Sequence, residues 1–221
     1  MTDRTLTADR LLRAMLPAPI VERLLRDEPL PLADHFAGVT VLFADLVGFE
    51  ALAAELAPAA LVAWLDGVYE VFDRVAQQHG VEKIKTIGDM YMAVGGVPAP
   101  RPDHAAAVAD LALALQGAVA ALRGAGGAPL RLRSAIHSGP VVAGVIGRDK
   151  LCYDVWGATV NTASHLVAHS DPGEILVSPA THAQLRDQYT FALHAPVPVG
   201  RQGVLTPYLL TGHQHASAPM A

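Results

Sequence analysis

Residues 38–45 read GVTVLFAD, and residues 81–96 read VEKIKTIGDMYMAVGG. The first run is almost unbroken in its apolar character, which predicts a strand covered on both faces. It ends in a carboxylate, Asp45. The second run holds two short β segments on either side of Gly88-Asp89, the turn dipeptide of a tight hairpin in reverse order. Laid beside that hairpin in a four-stranded antiparallel core, the first strand brings Asp45 and Asp89 together at one sheet edge. Either acid alone is an ordinary turn former or helix cap. As a pair they repel unless a cation joins them, and hard oxygen ligands with few alternatives around them suit Mg2+ or Mn2+ rather than zinc.

Working outward, Pro58 opens a helix to about residue 78, with Leu61, Leu65, Val68, Phe72 and Val75 recurring at helical spacing and a stop before Gly80. A second, Ala- and Leu-rich helix runs from about Asp103 to Arg123. The Gly-rich link at 124–127 precedes a strand LRLRSAIHSG (130–139), followed by a β run PVVAGVIG (140–147). A short helix near 159–167, a strand at 174–178, a helix from Pro179 and two further β runs complete this part. At the other end, LLRAMLPAPIVERLLRDE (11–28) predicts a short amphipathic helix interrupted by Pro17 and Pro19, and PLPLADHF (29–36) a connector. Uneven alternation with a hairpin favours an α+β sheet with helices on one face.

A chain of 221 residues suits one substantial domain, or one domain with an appendage. The formal charge of −5 lacks the basic surplus that phosphate-backbone binding needs, so no nucleic-acid partner is expected. A single cysteine, Cys152, excludes an intrachain disulfide framework and CxxC zinc sites, and fits a reducing compartment. The final 20 residues are free of acidic and basic side chains but carry Pro207, His213, Gln214, His215 and Pro219, so they do not span a bilayer. MTDRTLTADR at the start lacks the apolar centre of a signal peptide, and a cytoplasmic location is expected. Neither GxxxxGK[ST] nor GxGxxG occurs. Gly48 lets backbone approach a ligand, and the helix start after it offers N–H groups to an anion. The His213/His215 pair reads as solvated, Trp64, Trp156 and Tyr91 as core or interface aromatics, and His137 beside Ser138 has no partner acid for a hydrolase triad.

Four blocks, VTVLFADLVGFE (39–50), VEKIKTIGDMYMAVGG (81–96), LRSAIHSGPVVAGVIG (132–147) and YDVWGATVNTASH (153–165), resemble in order and spacing the successive signatures of the class III nucleotidyl cyclase catalytic domain. The resemblance runs from about Phe36 to Gly212. Residues 1–35 are similar to the transducing element of receptor-type cyclases, so the expected organisation is a connector at 1–35, a catalytic domain at 36–212 and a flexible tail at 213–221. An upstream sensory or membrane region in a longer protein is compatible with this. The resemblance implies a ferredoxin-like α+β core of βαββαβ type, working as a head-to-tail homodimer with ATP held between protomers and two divalent cations, Mg2+ or Mn2+. It assigns the metals to Asp45 and Asp89, with Leu46 beside them, and the triphosphate to Arg133. Gly48 and Phe49 fall with the substrate. From the partner subunit it takes Lys85 and Asp154 for the adenine and Asn161 for the ribose. Adenine presents an N6 donor and an N1 acceptor, which an acceptor carboxylate and a donor ammonium match. Guanylate cyclases carry Glu, and usually Cys or Ser, at those two positions.

Two positions depart from the family pattern. Four residues after Asn161 the family places an arginine that stabilises charge on the reacting phosphate; here stands His165, shorter and with fewer donors. The family's phosphate-contacting lysine loop corresponds to VGRQGVL (199–205), which has no lysine; Arg201, one residue out of register, is the substrate-binding candidate to substitute for it, an exposed loop charge being the alternative. The expected activity is that of an adenylate cyclase. A guanylate or mixed-specificity cyclase, and a weakly active nucleotide-binding regulatory domain, are the alternatives. A polymerase palm shares the acid pair but leaves Lys85, Asp154 and Asn161 unexplained.

Overall fold

A computed structural model describes residues 8–124, 127–200 and 203–214. The N-terminal segment forms α1 (Ala8–Met15) and α2 (Ala18–Leu25), divided at Pro17, and leads into β1 (Leu32–Val47). A short α3 (Phe49–Glu55) precedes α4 (Pro58–Gln78), then the hairpin of β2 (Glu82–Ile87) and β3 (Met90–Gly95) and the helix α5 (His104–Ala120). The second half contains β4 (Arg131–Ile146), β5 (Cys152–Trp156), α6 (Ala158–Val167), β6 (Ile175–Val177), α7 (Pro179–Leu185) and β7 (Tyr189–Leu193). It ends with the two-residue strands β8 (Val197–Pro198) and β9 (Val204–Leu205) and with β10 (Tyr208–His213).

Seven strands lie in the order β2-β3-β1-β4-β6-β10-β7, and β5 pairs with the distal half of β4. All pairings are antiparallel except β4 with β6. Helices cover both faces of this sheet, not one. Leu42, Ala44 and Leu46 of β1 pack with Val68 and Phe72 of α4, Leu111 and Leu115 of α5 and Leu185 of α7. The alternate residues Val39, Val41 and Phe43 pack with Ile20 and Val21 of α2 and Leu166 and Val167 of α6. Side chains alternate along a strand, so the unbroken apolar run of β1 requires two covers.

Two further differences concern strand ends. β1 begins at Leu32 rather than Gly38, because the Pro-containing connector is already paired, Leu32 opposite Val145. The runs at 130–139 and 140–147 form one strand: Gly139 lies opposite Val39 and Val141 opposite Phe36, so Pro140 falls at the β1 bulge, where no ladder N–H is required. His213 closes β10, its Nε2 3.3 Å from Asp110 Oδ1, and so belongs to the sheet. His215 and Arg201 lie outside the described residues. Among the described residues no helix is long and apolar enough to cross a membrane.

A chain of buried polar groups links the layers. Thr40 Oγ1 lies 2.7 Å from His104 Nδ1 and 2.7 Å from Ser138 Oγ, to which Thr181 Oγ1 donates at 2.9 Å. Ser178 Oγ, 3.1 Å from Thr181 Oγ1, meets His137 Nδ1 at 2.7 Å. Burial pushes the His137 imidazole down to about 4, so it stays neutral within this network. That accounts for the His137-Ser138 pair as structure, since buried polar groups must find partners.

Candidate active site

Asp45 stands in register with Met90 of β3 on one side and Arg133 of β4 on the other. Its Oδ2 accepts from Arg133 Nε at 2.6 Å and from Nη2 at 2.5 Å, and the residue is only 5% exposed. Asp89 follows Gly88 in the β2–β3 turn, and its backbone carbonyl accepts the Leu46 N–H at 3.3 Å, which ties the turn to the end of β1. Tyr69 of α4 donates its hydroxyl to the Gly88 carbonyl at 3.0 Å and braces the turn from below.

The electrostatics report that the two carboxylates feel one another. Burial first, and then the charge of Asp45, push the Asp89 carboxyl above its ordinary value. Glu50 adds to that repulsion and Arg133 opposes it. Burial, together with the charges of Asp89 and Asp45, pushes the Tyr69 hydroxyl up to about 12. An added divalent cation would relieve this repulsion, and two carboxylates form a hard donor set suited to Mg2+ or Mn2+. The described residues contain no cluster of three or more His, Cys, Asp or Glu able to hold a metal. Glu50 and Tyr69 were not anticipated; only their closeness in space marks them.

Gly48 adopts φ 84° as the residue capping α3, and a Cβ there would meet nothing within 4 Å, so backbone conformation and not crowding selects glycine. Phe49 opens α3, and its ring stacks on Trp64 at 6.3 Å, packed against the core beneath α4. The indole of Trp64 donates to the Arg123 carbonyl at 3.1 Å. Tyr91 is fully buried and donates to Asp73 at 2.9 Å, and Trp156 is 36% exposed on β5.

Lys85 on edge strand β2 and Asp154 on β5 close across the gap between those strands, Nζ to Oδ2 at 2.5 Å. Asp154 Oδ1 accepts the Val155 N–H at 2.8 Å, which holds the carboxylate in one orientation. Each oxygen keeps a free lone pair and the ammonium keeps two protons, so the pair presents an acceptor and a donor side by side. No hydrogen bond or ion pair among the described residues joins this pair to the Asp45–Arg133 pair. Asn161 and His165 stand one turn apart on α6, both exposed, with Ser164 Oγ donating to the Asn161 carbonyl at 2.9 Å. A cleft of about 840 Å³ lies between the α1–α2 junction, the end of α4 and the 97–101 loop. None of the residues assigned to the site lines it.

The family model "Adenylate and Guanylate cyclase catalytic domain" matches residues 32–212. The chain is 43% identical over 212 residues to an adenylate cyclase of Mycobacterium tuberculosis, covering 96% of this chain and 48% of that protein. It is 36% identical over 211 residues to the guanylate cyclase soluble subunit beta-2 of Rattus norvegicus, covering 95% of this chain and 31% of that protein. The chain thus spans half or less of the length of these curated relatives. Among solved structures, the guanylate cyclase domain of RhGC from Catenaria anguillulae in complex with GTP superposes with a TM-score of 0.79 at 30% identity, over 82% of this chain and all of that one. With the antiparallel sheet, the two acids and the four blocks in one order, the chain belongs to the family of class III adenylate and guanylate cyclase catalytic domains.

Proposed function

We propose that this domain is an adenylate cyclase, converting ATP to 3′,5′-cyclic AMP and pyrophosphate at sites shared between two copies of the chain. The observation that carries the choice of ATP is the Lys85–Asp154 pair, a donor beside an acceptor in the polarity that the adenine edge requires. Guanine would need an acceptor for its N1–H and N2 amino group and a donor for O6, which this pair presents less well. The relatives include both kinds of cyclase, so these two side chains support the preference, and the family does not.

Asp45 and Asp89, with the backbone of Leu46, would hold two divalent cations, which when bound acidify the ribose 3′-hydroxyl and neutralise the departing pyrophosphate. Arg133, which now neutralises Asp45, would turn its guanidinium to the triphosphate once that carboxylate has another cation. Gly48 and Phe49 would place α3 backbone near the phosphates, with the Phe49 ring anchored on Trp64. On the partner, Lys85 and Asp154 would read the base and Asn161 would orient the ribose, while His165 would face the reacting phosphate. Lys85–Asp154 and Asp45–Arg133 form two distinct ion pairs in one chain, and a site shared between copies is the reading that the family resemblance implies. The β4–β5 ribbon adds to this: Val142, Ile146 and Trp156 are 42%, 48% and 36% exposed, an apolar strip suited to a second copy.

The test is incubation of the purified chain with ATP or GTP, each with Mg2+ or Mn2+, followed by chromatography of the products. Cyclic AMP from ATP in excess over cyclic GMP from GTP supports the reading, and the reverse preference replaces it with a guanylate cyclase. His165 in place of the family arginine favours one second reading, a nucleotide-binding regulatory domain; tight ATP binding without turnover would select it.

A further inference from the structure

Val199 and Gly200, which follow β8, pack against α6. Val199, 1% exposed, shares a core with Leu166 and Val167, and its N–H donates to the Gly203 carbonyl at 2.8 Å. The next residue, Gly200, has φ +60°, and a Cβ built on it would lie 2.7 Å from His165 Nε2, 3.1 Å from Cδ2 and 3.2 Å from Cε1. The outer edge of the imidazole therefore occupies the space that a side chain at 200 would fill. The left-handed backbone selects glycine here, and the tip of the His165 ring lies in the volume that a side chain would enter, so such a side chain would have to displace the ring. An imidazole is shorter than a guanidinium and, set on the surface of α6, would otherwise be free to change rotamer. Seated against the bare backbone of the loop, it is held on one side by contact.

We propose that Gly200 is a positioning residue for the cyclase reaction, its missing side chain forming the seat against which the tip of the His165 imidazole is held. This rests on the reading of His165 as the group facing the reacting phosphate. The histidine and the glycine are a matched pair: the ring is seated because position 200 itself carries no side chain. An ordering contact of this kind acts on the transition state more than on substrate affinity, since displacement by about 1 Å can cost as much as about 100-fold in rate.

The experiment compares Gly200→Ala, Gly200→Asn, His165→Ala and the Gly200→Ala/His165→Ala double variant, each shown to be folded by circular dichroism. Expected for Gly200→Ala is a fall of about 10- to 100-fold in kcat with KM for ATP changed less than about threefold. Gly200→Asn tolerates a left-handed backbone yet carries the Cβ, and it must fall equally. In the His165→Ala background the glycine substitution must cost nothing more, because the ring it displaces is gone. A rescue by Asn would trace the loss to backbone strain, and equal losses in both backgrounds would separate the glycine from the histidine; either overturns the proposal, as does an unchanged or raised kcat. If His165→Ala itself leaves kcat intact, the underlying role of His165 fails, and with it any role for Gly200 in the reaction. The contact is read independently of activity by NMR: the His165 Cε1–H resonance must move in Gly200→Ala, and a resonance that stays in place refutes the seat.

Discussion

Exchanging the base-reading pair, Lys85→Glu with Asp154→Cys, should move the substrate preference from ATP toward GTP. The size follows from burial. The Asp154 side chain is 12% exposed, so a mismatched partner there carries close to the full penalty for an unpaired buried polar group, about 1–3 kcal/mol. The Lys85 side chain is 37% exposed, and water can replace much of what it loses, so its share is about half as large. Together they give about 1.5–4.5 kcal/mol, or about 10- to 2000-fold in the ratio of kcat/KM for ATP over GTP. Both partners change together, so Asp154 is not left as a buried carboxylate without its cation, and the carboxylate introduced at position 85 stands where the side chain is 37% exposed and water reaches it. The assay measures kcat/KM for both nucleotides in the parent and the double variant, with cyclic products separated by chromatography. A folded double variant whose ATP-to-GTP ratio stays within about threefold of the parent would mean that these side chains do not touch the base.

Asp45→Ala and Asn161→Ala should each be nearly inactive alone, yet recover about one quarter of parent activity when mixed 1:1, because half of the dimers then carry one intact shared site. No recovery between mutants that sedimentation shows to associate would place the whole site in one chain. Glu82 is held up to about 6 by burial, above its ordinary 4.5. The folded state thus favours its protonated form, and the associated stability is present below about pH 4.5 and lost as pH rises through about 6. Glu82→Gln should therefore be more stable than the parent above pH 6, by about 1–2 kcal/mol in urea titrations, with the advantage vanishing near pH 4. Thr40→Val should cost about 1–3 kcal/mol, since it strips His104 Nδ1 and Ser138 Oγ of a 2.7 Å partner each without changing volume. A thermal melt unchanged by that substitution would show that the buried polar chain contributes no stability.

The juxtaposition of the two acids at the candidate site was legible because they mark element ends. Asp45 closes an apolar run and Asp89 sits in a hairpin turn, so strand pairing alone brings them together, and the β1–β3 register and the Leu46–Asp89 backbone bond agree. Glu50 and Tyr69 carry no such mark. One lies on a solvent-facing position of a short helix and the other on a long amphipathic one, and only the approach of α3 and α4 to the turn sets them near Asp89.

What the sequence by itself determined is what depends on near neighbours along the chain. The helix from Pro58 to Gln78 appears as its periodicity and its proline start dictate, and the hairpin around Gly88-Asp89 forms as its flanking β runs require. Tertiary structure decided what depends on pairing between distant residues. Lys85 and Asp154 meet across 69 positions, and Arg133 reaches Asp45 across 88, through strands whose neighbours no local pattern names. The same holds for the helices on both faces of the sheet, for the unbroken β4 with Pro140 set at a bulge, and for the imidazole of His165 resting on Gly200. Local propensity acts over one or two turns, whereas register, layer order and side-chain contact are settled by burying both faces of β1 at once.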